Sequence, residues 1–148
     1  MNFHLHPQLK KDCIEIGRFE LSRLLLMNDS QYPWCILVPE RSDVTEIYQL
    51  SRQERVLLQE ESCLLSETLA EIYQADKMNV AAIGNLVPQL HIHHLVRYKT
   101  DRTWPAPVWG KAAAIPYSDS QLEENIEKIQ TALTQLCLQE HKFFDKKI

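Results

Sequence analysis

Apolar positions along this chain follow two periods in turn. From Pro88 to Arg97 they alternate, which predicts a β-strand. On such a strand Gln89, His91, His93, Leu95 and Arg97 share one face, and Pro88, Leu90, Ile92, His94 and Val96 share the other. Apolar runs at Ile14–Phe19, Leu21–Met27 and Trp34–Val38 predict three more strands, the last closed by Pro39. The turn signal Asn28-Asp29-Ser30 makes the second and third of these antiparallel neighbours. Lys77–Ile83 predicts a further strand that turns at Gly84-Asn85 into the histidine strand.

The helical period appears twice. Ser51-Arg52-Gln53-Glu54 reads as a capping box opening a helix to about Ala75, with Leu58, Leu65, Leu69 and Ile72 on one core-facing stripe. Ser120-Gln121-Leu122-Glu123 reads as a second box, opening a helix to about Glu140 with Leu122, Ile126, Ile129, Leu133 and Leu136 inward. Between the elements, Ser42–Leu50 is a connection with one helical turn. Asp101–Pro116 is irregular because Pro105, Pro107 and Pro116 exclude a long helix or a central strand. Its tryptophans, Trp104 and Trp109, are of the kind that fill a groove or cover a pocket. The tail Lys142–Ile148 is charged and expected to fray. Strands, helix, strands, helix in that order predict an α+β domain spanning residues 1–148, with an antiparallel sheet of about five strands.

Composition narrows the class. The 148 residues suit one domain, 45% of them are hydrophobic, and the formal net charge of −4 argues against a duplex nucleic-acid partner. No apolar run is long enough to span a bilayer, and residues 1–11 lack the apolar stretch of a secretory signal, so a cytoplasmic location is expected. Cys13, Cys35, Cys63 and Cys137 are far apart in apolar surroundings and read as reduced core thiols.

The chemistry concentrates on the histidine strand. Residues two apart on one strand face stand roughly 6.5–7 Å apart at Cα. His91 and His93 can therefore reach one phosphate-sized group. A metal is disfavoured, because zinc needs at least three converging protein ligands and His94 points the other way. No cofactor is expected. Arg97 stands roughly 13 Å from His93 along the strand, which suits a distal phosphate or, slightly better, a structural ion pair. Asp29 can accept from two vicinal hydroxyls or serve as a plain turn aspartate. Leu26 and Ile36 could flank a base or simply be core. His4, His6 and His141 read as surface residues.

Gln89-Leu90-His91-Ile92-His93-His94-Leu95-Val96-Arg97 resembles the signature strand of the histidine triad (HIT) family, whose pattern is His-φ-His-φ-His-φ-φ. The apolar strand ending near Asp29, the string Ile36-Leu37-Val38-Pro39-Glu40-Arg41, the helix from Ser51, and Gly84-Asn85 agree with the family in order. The resemblance covers roughly residues 14–110. It departs at Gln89, where the family carries its first histidine. It departs again at Trp34 (or Cys35, with a one-residue shift), where many members carry a supporting histidine. The two positions normally contact each other, so the double change has the look of a coordinated variant. The loop from Asp29 to Trp34 is also shorter than usual.

The resemblance implies an HIT-like fold and an enzyme acting at the α-phosphate of a nucleotide. The substrates implied are nucleoside phosphoramidates, aminoacyl adenylates or dinucleoside polyphosphates. It implies His91 as the nucleophile that becomes nucleotidylated, His93 as a donor to a non-bridging oxygen, and Gln89 as a phosphate-orienting amide that cannot titrate. It further implies phosphate contacts from Asn85, Gly84 and Asn79, and a ribose contact from Asp29. The implied partners are a purine nucleotide and a second copy of the chain, with Val56, Leu57 and Leu64 giving the long helix surplus apolar surface for a homodimer. The segment from Trp104 to Gly110 resembles a tail that in some members crosses to the partner subunit. A low-turnover nucleotide-binding or sensing module is the alternative, since Gln89 cannot act as an acid.

Overall fold

A computed structural model of the chain describes residues 2–136 and 143–146. Its elements are α1 (Pro7–Asp12), β1 (Cys13–Arg18), β2 (Ser22–Met27), β3 (Trp34–Pro39), α2 (Arg52–Tyr73), β4 (Lys77–Ala81), β5 (Ile92–Arg97), α3 (Asp119–Leu136) and β6 (Phe144–Asp145). The sheet runs β4-β5-β3-β2-β1-β6, and each neighbouring pair is antiparallel. This is the α+β architecture that the pattern of the chain predicts.

Each face of the sheet carries its own core. Ile16, Leu24, Leu26, Leu37, Ile92 and Val96 point to the face covered by α2 and α3, where Leu58, Leu65, Leu69, Ile129 and Leu133 meet them. On the opposite face Leu25, Trp34, Ile36, Val38 and Leu95 pack against Leu5 and Leu9 of the N-terminal segment and Val108 of the long coil. The alternation of each strand therefore delivers one set of side chains to the helices and the other to the face that holds the histidines.

The capping box opening α2 has the predicted bonds, with Glu54 N–H donating to Ser51 Oγ at 3.2 Å and Ser51 N–H to Glu54 Oε2 at 2.8 Å. The helix stops at Tyr73 because Gln74 turns into the left-handed region, with φ 50°. The connection before it holds one 3₁₀ turn at Ile47–Gln49.

Several expectations are corrected. The second capping box lies two residues earlier than read: Gln121 N–H donates to Ser118 Oγ, and Ser118 N–H to Gln121 Oε1. Gln121 satisfies the same pattern as Glu123, and the chain leaves its proline-rich coil in time to use the earlier serine. Leu136 is 48% exposed rather than inward. The sheet has six strands rather than about five, because Arg18 pairs with Phe144 and Gly17 with Asp145. Gly17 is required there, since a Cβ would stand 2.7 Å from the Phe144 carbonyl oxygen. Cys63 is exposed, while Cys35 is buried and Cys13 half-buried. Cys137, His141 and the predicted end of α3 near Glu140 lie outside the described residues. No described helix is long and apolar enough to cross a membrane.

Candidate functional site

The histidine segment is not one continuous strand. Pro88 has no N–H to give a ladder, and the Leu90 N–H donates to the Val44 carbonyl instead. Pairing begins at Ile92, opposite Leu37. His91 therefore stands just ahead of β5, and His93 stands inside it between Ile36 and Ala81.

The two rings nonetheless converge. Their centroids are 4.8 Å apart at 72°, and both line a cavity of about 670 Å³. The His91 Nδ1 is paired with the Gln89 carbonyl at 2.7 Å. A carbonyl only accepts, so the ring proton sits on Nδ1 and the Nε2 lone pair is free. Burial pushes the His91 pKa below its ordinary value and the nearby His6 adds to this, while the bond to the Gln89 carbonyl opposes it. Burial, then His91 and His94, push His93 down to about 3. Both imidazoles are neutral at physiological pH.

Trp34 closes the group. Its indole N–H donates to His93 Nδ1 at 3.0 Å. Trp109 packs edge-on against both, with centroids 5.2 Å from His93 and 6.0 Å from Trp34. Cys35, the other candidate for the supporting position, faces the helix layer. Trp34 and Gln89 share no hydrogen bond.

The remaining predicted residues divide. Asn85 and Gly84 line a smaller hollow of about 310 Å³ together with His91, and Asn85 also borders the larger cavity. Asp29 lies in a third hollow of about 410 Å³ that shares Trp34, Trp109, Met27, Asp12 and Gly110 with the largest. One Asp29 oxygen accepts from the Gln31 backbone and side chain and from the Ile115 N–H, so it orders its turn as well as facing that hollow.

Asn79 is not at the histidines. Its carbonyl oxygen accepts from Arg97 at 2.8 Å. Arg97 is buried and makes a two-bond ion pair with Asp101, at 2.8 and 3.0 Å. This is the structural role favoured for Arg97. The Gln89 amide is taken up by the N-terminal segment: Oε1 accepts from the His6 N–H and Nε2 donates to the His4 carbonyl, both at 2.9 Å. Leu26 belongs to the helix-side core, and Met27 lines the cavity in its place. His94 is turned to α2, where its Nε2 meets Ser62 Oγ at 2.7 Å.

Sequence reading missed the N-terminal wall. His6, Gln8, Leu9 and Asp12 border the main cavity, and Lys11 borders the hollow of Asp29. His6 is thus not a plain surface residue. The available signals were His6-Pro7, a cap followed by proline at the first helical position, and the spacing of Leu5 and Leu9. The segment from Trp104 to Gly110 brings Trp109 and Gly110 onto the chain's own cavity.

Comparison with known proteins matches a profile described as HIT domain over residues 8–100. A histidine triad protein from Marinobacter aquaeolei is 48% identical, covering 92% of this chain and 99% of that one, with a TM-score of 0.89. A histidine triad protein from Bradyrhizobium japonicum is 39% identical, covering 90% and 99%, with a TM-score of 0.88. A hypothetical histidine triad nucleotide-binding protein from Sulfolobus tokodaii shares the fold at 14% identity and a TM-score of 0.62, covering 82% of this chain and 86% of that one. Curated protein sequences gave no match.

Proposed function

The chain belongs to the histidine triad (HIT) domain family, and on that premise we propose that it cleaves or transfers a nucleotidyl group at the α-phosphate, with His91 as nucleophile. The observation that carries this reading is the 2.7 Å pairing of His91 Nδ1 with the Gln89 carbonyl, which leaves a neutral Nε2 lone pair beside the cavity.

In the proposed reaction Nε2 attacks the α-phosphorus and the P–Nε2 bond forms. The bond from phosphorus to the leaving nitrogen or oxygen breaks, and its electron pair departs with the leaving group, which takes up a proton. Water then attacks the phosphorus and releases a proton to solvent, the P–Nε2 bond breaks with its electron pair returning to Nε2, and the nucleoside monophosphate leaves. His93 is neutral, with its proton on Nε2. It serves as a hydrogen-bond donor to a non-bridging oxygen rather than as an imidazolium. Asn85 and Gly84 border the phosphate, Asp29 accepts from the ribose, and Trp34 and Trp109 flank a purine base. The substrates in view are nucleoside phosphoramidates, aminoacyl adenylates and dinucleoside polyphosphates.

The chain reads as a variant with Gln89 at the first triad position. Both ends of that amide are already bonded to backbone. It supplies no proton to a leaving group, which favours good leaving groups or slow turnover and keeps a binding or sensing role as the second reading. A homodimer fits the exposed Val56 on α2 and Val80 on β4.

The test is intact-protein mass spectrometry after acid quenching of a reaction with an adenosine phosphoramidate. A nucleotidyl adduct on the wild type that is missing in His91→Ala supports the enzyme. Nucleotide binding with neither adduct nor turnover supports the sensor. Full turnover by His91→Ala excludes the nucleophile assignment.

A further inference from the structure

We propose that His6 is a further phosphate-contacting residue of this site, delivered to it by Gln89. The inference rests on the nucleotide reading above and names a group that reading does not use.

The N-terminal segment is anchored by Leu5 and Leu9, both buried in the site-side core. Gln89 grips the backbone on either side of Leu5, at the His4 carbonyl and the His6 N–H. This clasp spans more than eighty residues of sequence and fixes where the His6 ring stands. His6 forms part of the wall of the cavity that holds His91 and His93.

The ring is oriented as well as placed. His6 is the N-cap of α1, and its Nδ1 accepts from the Gln8 N–H at 3.1 Å. The lone pair of Nδ1 is thereby used, so the proton of the neutral ring sits on Nε2, at the opposite side of the imidazole. A cap alone does not call for histidine, because Ser, Asp and Asn cap helices well. What histidine adds is a second donor nitrogen on the far side of the ring. The imidazole missing at position 89 is thus supplied by another segment, which Gln89 itself holds in place.

The test compares AMP and adenosine binding by calorimetry in wild type, His6→Asn, Gln89→Ala and the double variant. Asparagine preserves the cap and removes the far nitrogen. His6→Asn is expected to weaken AMP binding about tenfold, with adenosine affinity and the urea midpoint unchanged. Gln89→Ala releases the segment and gives a similar loss, and the double variant loses no more than either single one. Nitrogen NMR of the wild type, which needs no variant, should show the His6 Nε2 signal move with AMP and stay put with adenosine. Unchanged AMP affinity in a folded His6→Asn that still allows the His91 adduct overturns this proposal alone and leaves His6 a cap. A wild type that neither binds AMP nor forms an adduct overturns the nucleotide reading, and this proposal with it.

Discussion

The Trp34 indole N–H donates to Nδ1 of His93 at 3.0 Å, and this bond, together with the Ile83 backbone bond to the same ring, decides where the His93 proton sits. Indole offers a donor and no acceptor. Nδ1 must therefore carry its lone pair, and the proton must be on Nε2. A doubly protonated ring would set one N–H against another, which accords with the low value, about 3, to which burial and the neighbouring histidines bring this group. Trp34→Phe keeps an aromatic ring and deletes the donor. It is expected to leave Nδ1 buried without a partner, at a cost of about 1–3 kcal/mol. Nitrogen NMR should then show a mixture of His93 tautomers, where the wild type shows only the Nε2–H form. A single Nε2–H tautomer in the variant would mean that Trp34 does not set it.

Stability should fall as the solution is acidified below neutral. His93 and His94 are held at about 3 and about 4, against an ordinary 6.5, each chiefly by burial. Between those values the unfolded chain binds protons that the folded chain refuses. The stabilisation is therefore complete above pH 6.5 and is lost as pH falls toward 4, at about 1.4 kcal/mol per pH unit for each group. Glu61 acts in the opposite sense. Its carboxyl is raised by burial, so its contribution is present at low pH and lost as pH rises. Urea unfolding of Glu61→Gln at pH 7, 6 and 5 isolates the histidines, and the midpoint should drop at each step. A flat profile would show that the rings are not buried neutral.

The Arg97–Asp101 pair fixes the root of the coil that carries Trp109. Asp101 also accepts from the N–H groups of Tyr98, Thr103 and Trp104, so its two oxygens organise a whole turn. Asp101→Asn leaves the buried guanidinium without a counter-charge, and the expected loss is about 3–5 kcal/mol. Limited proteolysis between residues 101 and 116 should quicken in proportion. Arg97→Lys should lose a smaller part of the same stability, because a lysine ammonium keeps the charge but cannot form the two-bond fork.

Much of the sheet was readable because its strands are ruled by period two. β2 and β3 lie within a residue of their predicted limits, and the His91 and His93 rings converge as expected although His91 stands just ahead of its strand. The reading failed where backbone hydrogen bonding overrides side-chain pattern. Pro88–His91 alternates as a strand does, yet Leu90 spends its N–H on Val44 and the ladder starts later. α1 has six residues, too few for a helical period to show, and β6 has two. Half of the site was illegible for the same reason. His6 arrives through a clasp by Gln89, and Trp109, expected to cover some pocket, arrives through a coil without any period, so local spacing did not place either of them beside His91 and His93.

Trp109 carries the last prediction. Its indole Nε1 is buried and has no hydrogen-bond partner among the described residues. The ring borders both the His91 cavity and the hollow of Asp29. A buried donor without an acceptor costs about 1–3 kcal/mol in the free protein, and a ligand that supplies an acceptor recovers it. Trp109→Phe removes the orphan donor while keeping an aromatic edge toward His93. The urea midpoint of the ligand-free variant should therefore hold or rise, although a larger ring has been replaced by a smaller one. Nucleotide affinity should fall by about three- to tenfold, since the ligand no longer satisfies a group that was waiting for it. The two readouts moving in opposite directions is the signature. If the variant is destabilised by about 2 kcal/mol or more and binds AMP as the wild type does, Trp109 is packing alone.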